Sequence, residues 1–158
     1  MKKLSGADTT WNLEGEVQLD GGITSLSLSP DRSMVLAGTT AGKIFAVLTS
    51  NIDASGVRCI SASHTDGIVQ VAFGGQSDIF CTVCKDGSVY SWDLSDYERI
   101  ATAVNNGRKC TAVAMCEKSS DVLVGFSNGT VSCYDAISKD KVQKERCVAV
   151  FEAFLCHA

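Results

Sequence analysis

The sequence predicts an all-β chain assembled from a strand-rich unit that occurs three times. The stretch from Ile68 to Asp93 carries the pattern most clearly. It has two runs of alternating apolar and polar residues, a Lys85-Asp86-Gly87 turn, and a third run that ends in Trp92-Asp93. Alternation at period two, interrupted by Gly and Asp turns, is typical of antiparallel strands rather than helices. Because one small sheet cannot bury both of its faces, each unit is expected to pack against another.

Two further stretches repeat this pattern. Ile23 to Val47 precedes the central unit and Cys110 to Asp135 follows it, and Gly42, Gly87 and Gly129 hold the same turn position in the three units. Successive turn glycines are 45 and then 42 residues apart. A period of about 40–45 residues, with a turn that leads to Trp-Asp, is the pattern of WD-repeat propeller blades. The chain therefore resembles part of a WD-repeat β-propeller.

We expect about three four-stranded blades in this chain, whereas closed propellers usually have about 4–8 blades. The predicted division is a flexible N-terminal segment at 1–15, three blades at 16–150 with repeat cores 23–47, 68–93 and 110–135, and an atypical C-terminal tail at 151–158. An incomplete propeller would be a truncated chain, an isoform or part of a longer protein. Its open blade edges would favour self-association.

The outer strands of the blades are predicted from the apolar runs between the repeat cores. We expect Val57 to Ser61 to complete the first blade, Glu98 to Ala103 the second, and part of Lys141 to Val150 the third. In propellers the first strand in sequence often completes another blade. On that ground Glu16 to Leu19 is predicted to be an edge strand.

The family resemblance implies a structural tetrad inside the central blade. In WD repeats a loop His, a strand Ser or Thr, a turn Asp and a strand Trp often form a buried hydrogen-bonded set, and His64, Thr82, Asp86 and Trp92 match these positions. The matching positions of the other repeats hold Leu19, Ala37, Ala41 and Val47 in the first, and Asn106, Val124, Asn128 and Tyr134 in the third. A His-Asp-Thr trio has the composition of a catalytic triad. We nevertheless interpret the set as structural.

The composition argues against several kinds of partner and site. A net charge of −4, with no basic run longer than a pair, argues against nucleic acid and against an anionic membrane. No stretch approaches the roughly 20 apolar residues of a membrane span, so we expect a cytoplasmic protein. Cys81 and Cys84 have the spacing of a zinc or redox half-site that Cys156-His157 could complete. Since residues three apart on a strand point to opposite faces, we expect no metal and no cofactor.

A narrower resemblance concerns the order of the blades. The segment VQLDGGITSLSL, the central CTVCKDGSVYSWD and the third-blade ending SNGTVSCYDA resemble the later blades of a cilia- and flagella-associated WD-repeat protein, over roughly Glu16 to Gln143. The resemblance implies a microtubule inner protein in the lumen of the axonemal doublet. Its partners would be tubulin and other axonemal inner proteins, and its location the cytoskeleton of a cilium or flagellum.

The function expected from these observations is a non-catalytic protein-interaction scaffold. The sequence has no nucleophile elbow and no paired-carboxylate spacing, which argues against an enzyme. The alternative is a WD-repeat adaptor of a ubiquitin-ligase or trafficking complex, which would share the fold. Aromatic and arginine side chains commonly anchor protein interfaces. Tyr97, Arg99 and Arg108 are the candidate anchors.

Overall fold

Twelve β-strands form three four-stranded antiparallel sheets in the described part of the chain. The structure is a computed structural model, and it describes residues 13–62, 64–74, 78–104, 107–116, 119–137 and 146–147, with 104 and 146–147 described through their backbone. The predicted segment 1–15, apart from residues 13–15, and the predicted tail 151–158 lie outside the described residues. Within the described part, no helix is long and apolar enough to span a membrane.

Each sheet is a meander whose strands pair in the order in which they follow along the chain. The first sheet contains β1 (Ile23–Leu28), β2 (Met34–Thr39), β3 (Ile44–Leu48) and β4 (Val57–Ser61). The second contains β5 (Ile68–Phe73), β6 (Ile79–Cys84), β7 (Ser88–Asp93) and β8 (Arg99–Val104). The third contains β9 (Cys110–Met115), β10 (Asp121–Phe126), β11 (Val131–Asp135) and β12 (Arg146–Cys147). The predicted fold class is confirmed, since the described sheets form an open set of WD-type blades and not a closed ring.

The segment before β1 differs from its prediction. Glu16 to Leu19 was expected to be an edge strand, and this expectation is wrong, because no described strand pairs with it. A strand needs a neighbouring ladder to satisfy its backbone groups. Leu19 is instead buried against Ala37, Phe45 and Val47, so the segment packs on the first sheet through its side chains.

The second sheet lies between the other two and is covered on both faces. All six residues of β6 are buried, and successive side chains enter different cores. Phe80 packs with Leu36 and Ile44 of the first sheet. Cys81 and Val83 belong to a second core with residues of the third sheet. By contrast β10 alternates between buried and half-buried positions, as a strand with one covered face does.

Side-chain to backbone hydrogen bonds join the innermost strands of neighbouring sheets. The Ser25 hydroxyl accepts from the Val71 N–H at 3.1 Å, and one repeat later the Gln70 side-chain oxygen accepts from the Val113 N–H at 2.9 Å. The two bonds lie at corresponding repeat positions. They therefore join β1 to β5 in the same way as they join β5 to β9.

The turn between the second and third strands has the same backbone form in every sheet. Gly42, Gly87 and Gly129 have φ values of +71°, +88° and +83°. Their N–H groups bond back to Thr39, Cys84 and Phe126 carbonyls at 3.1, 3.1 and 3.0 Å. Only glycine adopts this left-handed conformation without a steric penalty. The surroundings differ, however: a Cβ on Gly42 would lie 2.7 Å from the His64 carbonyl oxygen, whereas one on Gly129 would meet nothing within 4 Å.

Replacing these two glycines separates the effect of conformation from the effect of packing. Gly129→Ala should lower the free energy of unfolding by about 1–2 kcal/mol, the cost of a left-handed residue with a Cβ. Gly42→Ala should cost clearly more, since the added methyl group also collides with the segment that carries His64. Urea unfolding of both variants measures the difference. Equal losses would contradict the close approach at Gly42.

Candidate functional site

Three buried polar side chains of the central blade, those of His64, Thr82 and Ser88, form a connected network with Trp92, and His64 is only 6% exposed. Its Nε2 lies 2.7 Å from the Thr82 hydroxyl, and its Nδ1 lies 3.2 Å from the Ser88 hydroxyl. The Trp92 indole N–H donates to the same Thr82 oxygen at 2.9 Å. The structure thus brings His64, Thr82 and Trp92 into direct contact.

Asp86 joins this network through Ser88 rather than by touching His64. Its carboxylate accepts from the Ser88 N–H at 2.8 Å and from the Thr65 hydroxyl at 2.6 Å. Burial alone would raise the pKa of Asp86, but the hydrogen bonds from Ser88 and Thr65 outweigh it and hold the pKa well below its usual range. Sequence reasoning missed Ser88. The signal available was its position two residues after Asp86, at the start of β7.

The donors of the network can all point in one direction. The Ser88 hydroxyl donates to the Asp86 carboxylate, so it accepts from His64 Nδ1. His64 Nε2 then accepts from the Thr82 hydroxyl, which itself accepts from the Trp92 indole N–H. Each group keeps one partner for every proton that it holds, which is the condition for placing polar groups in a core at little cost.

His64 is held in its neutral form. Burial lowers its pKa to about 4, and the nearby Arg99 adds to this lowering while Asp86 opposes it. The ring also stacks on Tyr90, with 4.2 Å between the ring centroids. A buried imidazole packed between aromatic rings is suited to hold strands together rather than to meet a substrate. The structural role assigned to the set stays a prediction.

The first repeat fills the corresponding place with apolar side chains. Leu19, Ala37 and Val47, which occupy three of its four tetrad positions, form one buried cluster with Phe45, while Ala41 is exposed. A complete apolar set leaves no buried polar group without a partner. The requirement that no buried polar group lacks a partner is thus met in two ways. The central sheet meets it with a hydrogen-bonded polar set, and the first sheet meets it with apolar side chains.

The third repeat mixes both solutions. Val124 and Tyr134 are buried in the core shared with the second sheet. Asn128 lies in the turn, where its side-chain oxygen accepts from the Thr130 N–H at 3.1 Å and from the Thr130 hydroxyl at 2.7 Å. Asn106, the remaining position, lies outside the described residues.

The two cysteines with metal-site spacing lie in different surroundings. Cys81 is buried in the core between the second and third sheets, and burial raises the pKa of its thiol. Cys84 donates from its Sγ to the Asp66 carbonyl at 3.1 Å, and burial is the main cause that raises its pKa as well. Protonated thiols are poor metal ligands and poor nucleophiles. Among the residues that the structure describes, no group of three potential metal ligands comes together.

The three candidate anchors all make contacts between a cation and an aromatic ring. The guanidinium carbon of Arg99, which begins β8, lies 4.7 Å from the Tyr90 ring centroid. Arg58 of β4 lies 5.1 Å from the ring of Tyr97. Arg108 lies 4.4 Å from the ring of Phe126 in the third sheet. The structure therefore places Tyr97 and Arg99 between the first two sheets and Arg108 elsewhere.

Comparison with known proteins identifies the repeats. The family model described as "WD domain, G-beta repeat" matches residues 57–93, from β4 through β7. WD repeat-containing protein 90 of Mus musculus is 32% identical over 141 residues, which is 84% of this chain and 7% of that protein. The Xenopus tropicalis protein of the same name is 28% identical over 152 residues, 90% of this chain and 8% of that protein. The chain is built from WD40 repeats. It spans less than a tenth of the length of these curated relatives.

Solved structures share the arrangement of the sheets. The RRP9 WD40 repeats superpose with a TM-score of 0.67 at 12% identity, covering 75% of this chain and 36% of that one. The C-terminal WD40 domain of Sif2 gives 0.66 at 22% identity, covering 80% and 35%. The computationally designed Ika4 protein gives 0.64 at 20% identity, covering 80% and 76%. At these identities the likeness establishes the fold alone.

The depressed pKa of His64 makes stability depend on pH. The folded protein binds the proton less well than the unfolded chain, whose His has a pKa near 6.5, so stability is full above about pH 6.5 and falls as the pH drops toward 4. Between pH 7 and pH 5 the free energy of unfolding should fall by about 2 kcal/mol. Urea unfolding across this range measures the slope. The His64→Gln variant should lose the part of the pH dependence of the unfolding free energy that His64 causes. An unchanged pH dependence in this variant would refute the assignment to His64.

The Thr82 hydroxyl links His64 to Trp92. Its removal should leave two buried polar groups, His64 Nε2 and the Trp92 indole N–H, without this hydrogen-bond partner. Thr82→Val keeps the shape of the side chain and should cost about 2–3 kcal/mol of unfolding free energy. Thr111 offers a matched control, because its hydroxyl donates to the Gly125 carbonyl at an exposed position. Thr111→Val should cost less than about 0.5 kcal/mol. Similar costs for both variants would show that the network adds no stability.

Proposed function

We propose that this chain is a non-catalytic protein-interaction scaffold of the ciliary or flagellar axoneme. In this proposal it sits in the lumen of the doublet microtubule and contacts tubulin and other inner proteins, which places it in the cytoskeleton. The WD40 architecture carries the scaffold part. Three stacked sheets that share two cores form a preorganised body, and binding to such a body costs little ordering of the scaffold itself.

The ciliary part is supported by the resemblance over roughly Glu16 to Gln143, with the segment VQLDGGITSLSL as its most distinctive stretch. In the structure this segment contains Leu19, which packs on the first sheet, and the whole of β1. Both features involve how the first sheet meets its surroundings. A WD-repeat adaptor of a ubiquitin-ligase or trafficking complex would use the same fold. Fractionation of cilia separates this alternative from the axonemal scaffold.

Fractionation of cilia followed by peptide mass spectrometry tests the proposal. Salt screens electrostatic contacts at exposed surfaces, so proteins held on the outside of a microtubule by charge are released by a high-salt wash. A protein enclosed in the doublet lumen should remain with the washed doublets. We therefore expect peptides of this chain in the salt-washed doublets and not in the wash or the soluble fraction.

Recovery of the peptides in the soluble cytoplasmic fraction, with none in washed doublets, would remove the axonemal assignment and favour the adaptor. Known luminal and outer-surface proteins of the same preparation serve as controls for retention and release. Recovery in the salt wash would place the protein on the outside of the microtubule and would contradict the luminal position.

A further inference from the structure

The outer part of the junction between the first two sheets is lined by two arginines that come from opposite sides. We name this surface the first seam and define it by Arg58, Tyr90, Tyr97 and Arg99. Arg58 pairs across the strands with Ala46, which lies in the core between sheets one and two. Because directly paired residues share a face of the sheet, Arg58 faces the second sheet.

A β-bulge turns Arg99 toward the same place. In β7–β8 pairing, Ser91 lies opposite Ala101 but Trp92 lies opposite Arg99, so Ile100 is an extra residue. Without this bulge Arg99 would share the face of Ala101, which lines the junction with the third sheet. The bulge places it instead on the face of Trp92, in the core with the first sheet. Bulges commonly redirect a side chain in this way.

Two tyrosines hold the arginines in position. Arg58 lies over the Tyr97 ring and Arg99 over the Tyr90 ring, at 5.1 and 4.7 Å. A guanidinium that stacks through its face keeps its N–H donors at the edge, where they can bind a carboxylate with two parallel bonds. Tyr97 adopts φ +61°, an unfavourable conformation for an aromatic residue that here places its ring under Arg58.

Neither arginine is neutralised by a described carboxylate. Within the described residues, the ion pair of the structure joins Lys43 to Asp20, away from this seam. Asp96, next to Tyr97 in sequence, uses its carboxylate within the loop, where it accepts from the Glu98 N–H at 2.8 Å. Arg58 and Arg99 are both exposed. They are two exposed cations on a chain whose net charge is −4, and the acidic Asp96 and Glu98 flank Tyr97 in sequence.

The junction between the second and third sheets provides an internal contrast. Its lining contains the small residues Ser91, Ala101, Ala103 and Ala136 beside Tyr90 and Tyr134, and the Ser91 hydroxyl donates to the Ala136 carbonyl at 2.6 Å. No arginine is among its lining residues in the described part. Within the described residues, the pair of arginines stacked on tyrosines occurs at the first seam.

We propose that the first seam binds an acidic peptide segment of a partner protein, with successive carboxylates on Arg58 and Arg99 and the chain lying along Tyr97. This inference rests on the proposed scaffold function and gives its partner a chemical class. An extended acidic peptide fits because one guanidinium comes from β4 of the first sheet and the other from β8 of the second, each stacked on a tyrosine of the same junction. Binding of this kind is electrostatic at exposed sites, so it weakens as salt is added.

The test is a fluorescence-anisotropy titration of the full chain against a labelled peptide of alternating Glu and Gly residues. The same peptide with Gln in place of Glu is the neutral control. We expect the Glu peptide to bind at least about tenfold more tightly than the Gln peptide. The double variant Arg58→Gln, Arg99→Gln should lose at least about tenfold in affinity for the Glu peptide.

Lys109→Gln is the control variant, because Lys109 is also an exposed cation but lies next to β9 of the third sheet. It should bind the Glu peptide within about twofold of the unmodified chain, a difference too small to indicate a lost contact. Equal affinity of the double variant and the unmodified chain would overturn the proposal. So would equal binding of the Glu and Gln peptides, or no binding of either.

Hydrogen–deuterium exchange on the unmodified chain gives a second readout that does not depend on a variant. The Glu peptide should slow exchange in β4 and at the start of β8 and leave β10 and β11 unchanged. Protection confined to the third sheet would overturn the assignment of the site. Failure of the peptide assay and failure of the doublet fractionation are separate outcomes, since one measures partner chemistry and the other measures location.

Discussion

The arrangement of the whole chain depends on the burial of β6 from both sides. Phe80 and Thr82 enter the interior shared with the first sheet, while Cys81 and Val83 enter the core shared with the third. Each large apolar side chain buried in this way contributes about 1.5–3 kcal/mol. A sheet with apolar residues on both faces needs a neighbour on each side, so the central sheet is stable only as the middle of a stack.

Polar groups inside such a stack must find their partners within the protein. The His64 network does so with two hydroxyl groups, an indole and a carboxylate, and burial keeps the imidazole neutral. The first sheet has no polar network at this place and packs Leu19, Ala37 and Val47 there instead. Both arrangements avoid an unpaired buried group, which would cost more than either. The comparison explains how WD40 repeats of one chain can differ so much at the same position.

Surface chemistry arises where neighbouring sheets meet, because each junction combines side chains from two repeats. At the first seam the strand pairing of Arg58 and the bulge before Ala101 direct two cations toward the junction of the first two sheets. At the second junction the lining contains small residues such as Ala101 and Ala103 beside Tyr90 and Tyr134. Differences in outer-strand residues and in the position of a bulge thus give individual surfaces to sheets that share one backbone plan.

The sequence by itself determined the local features of this protein. Alternation at period two set where strands form, and the need for a left-handed residue in each turn set Gly42, Gly87 and Gly129. The tertiary structure decided what the side chains meet. Ser88 proved to be the Nδ1 partner of His64, and Glu16 to Leu19 pairs with none of the described strands. Arg99 faces the first sheet only because a bulge breaks the alternation from which its orientation would be predicted. Alternation and turn preference act between close neighbours in the chain, whereas pairing, burial and bulges depend on residues brought together by folding.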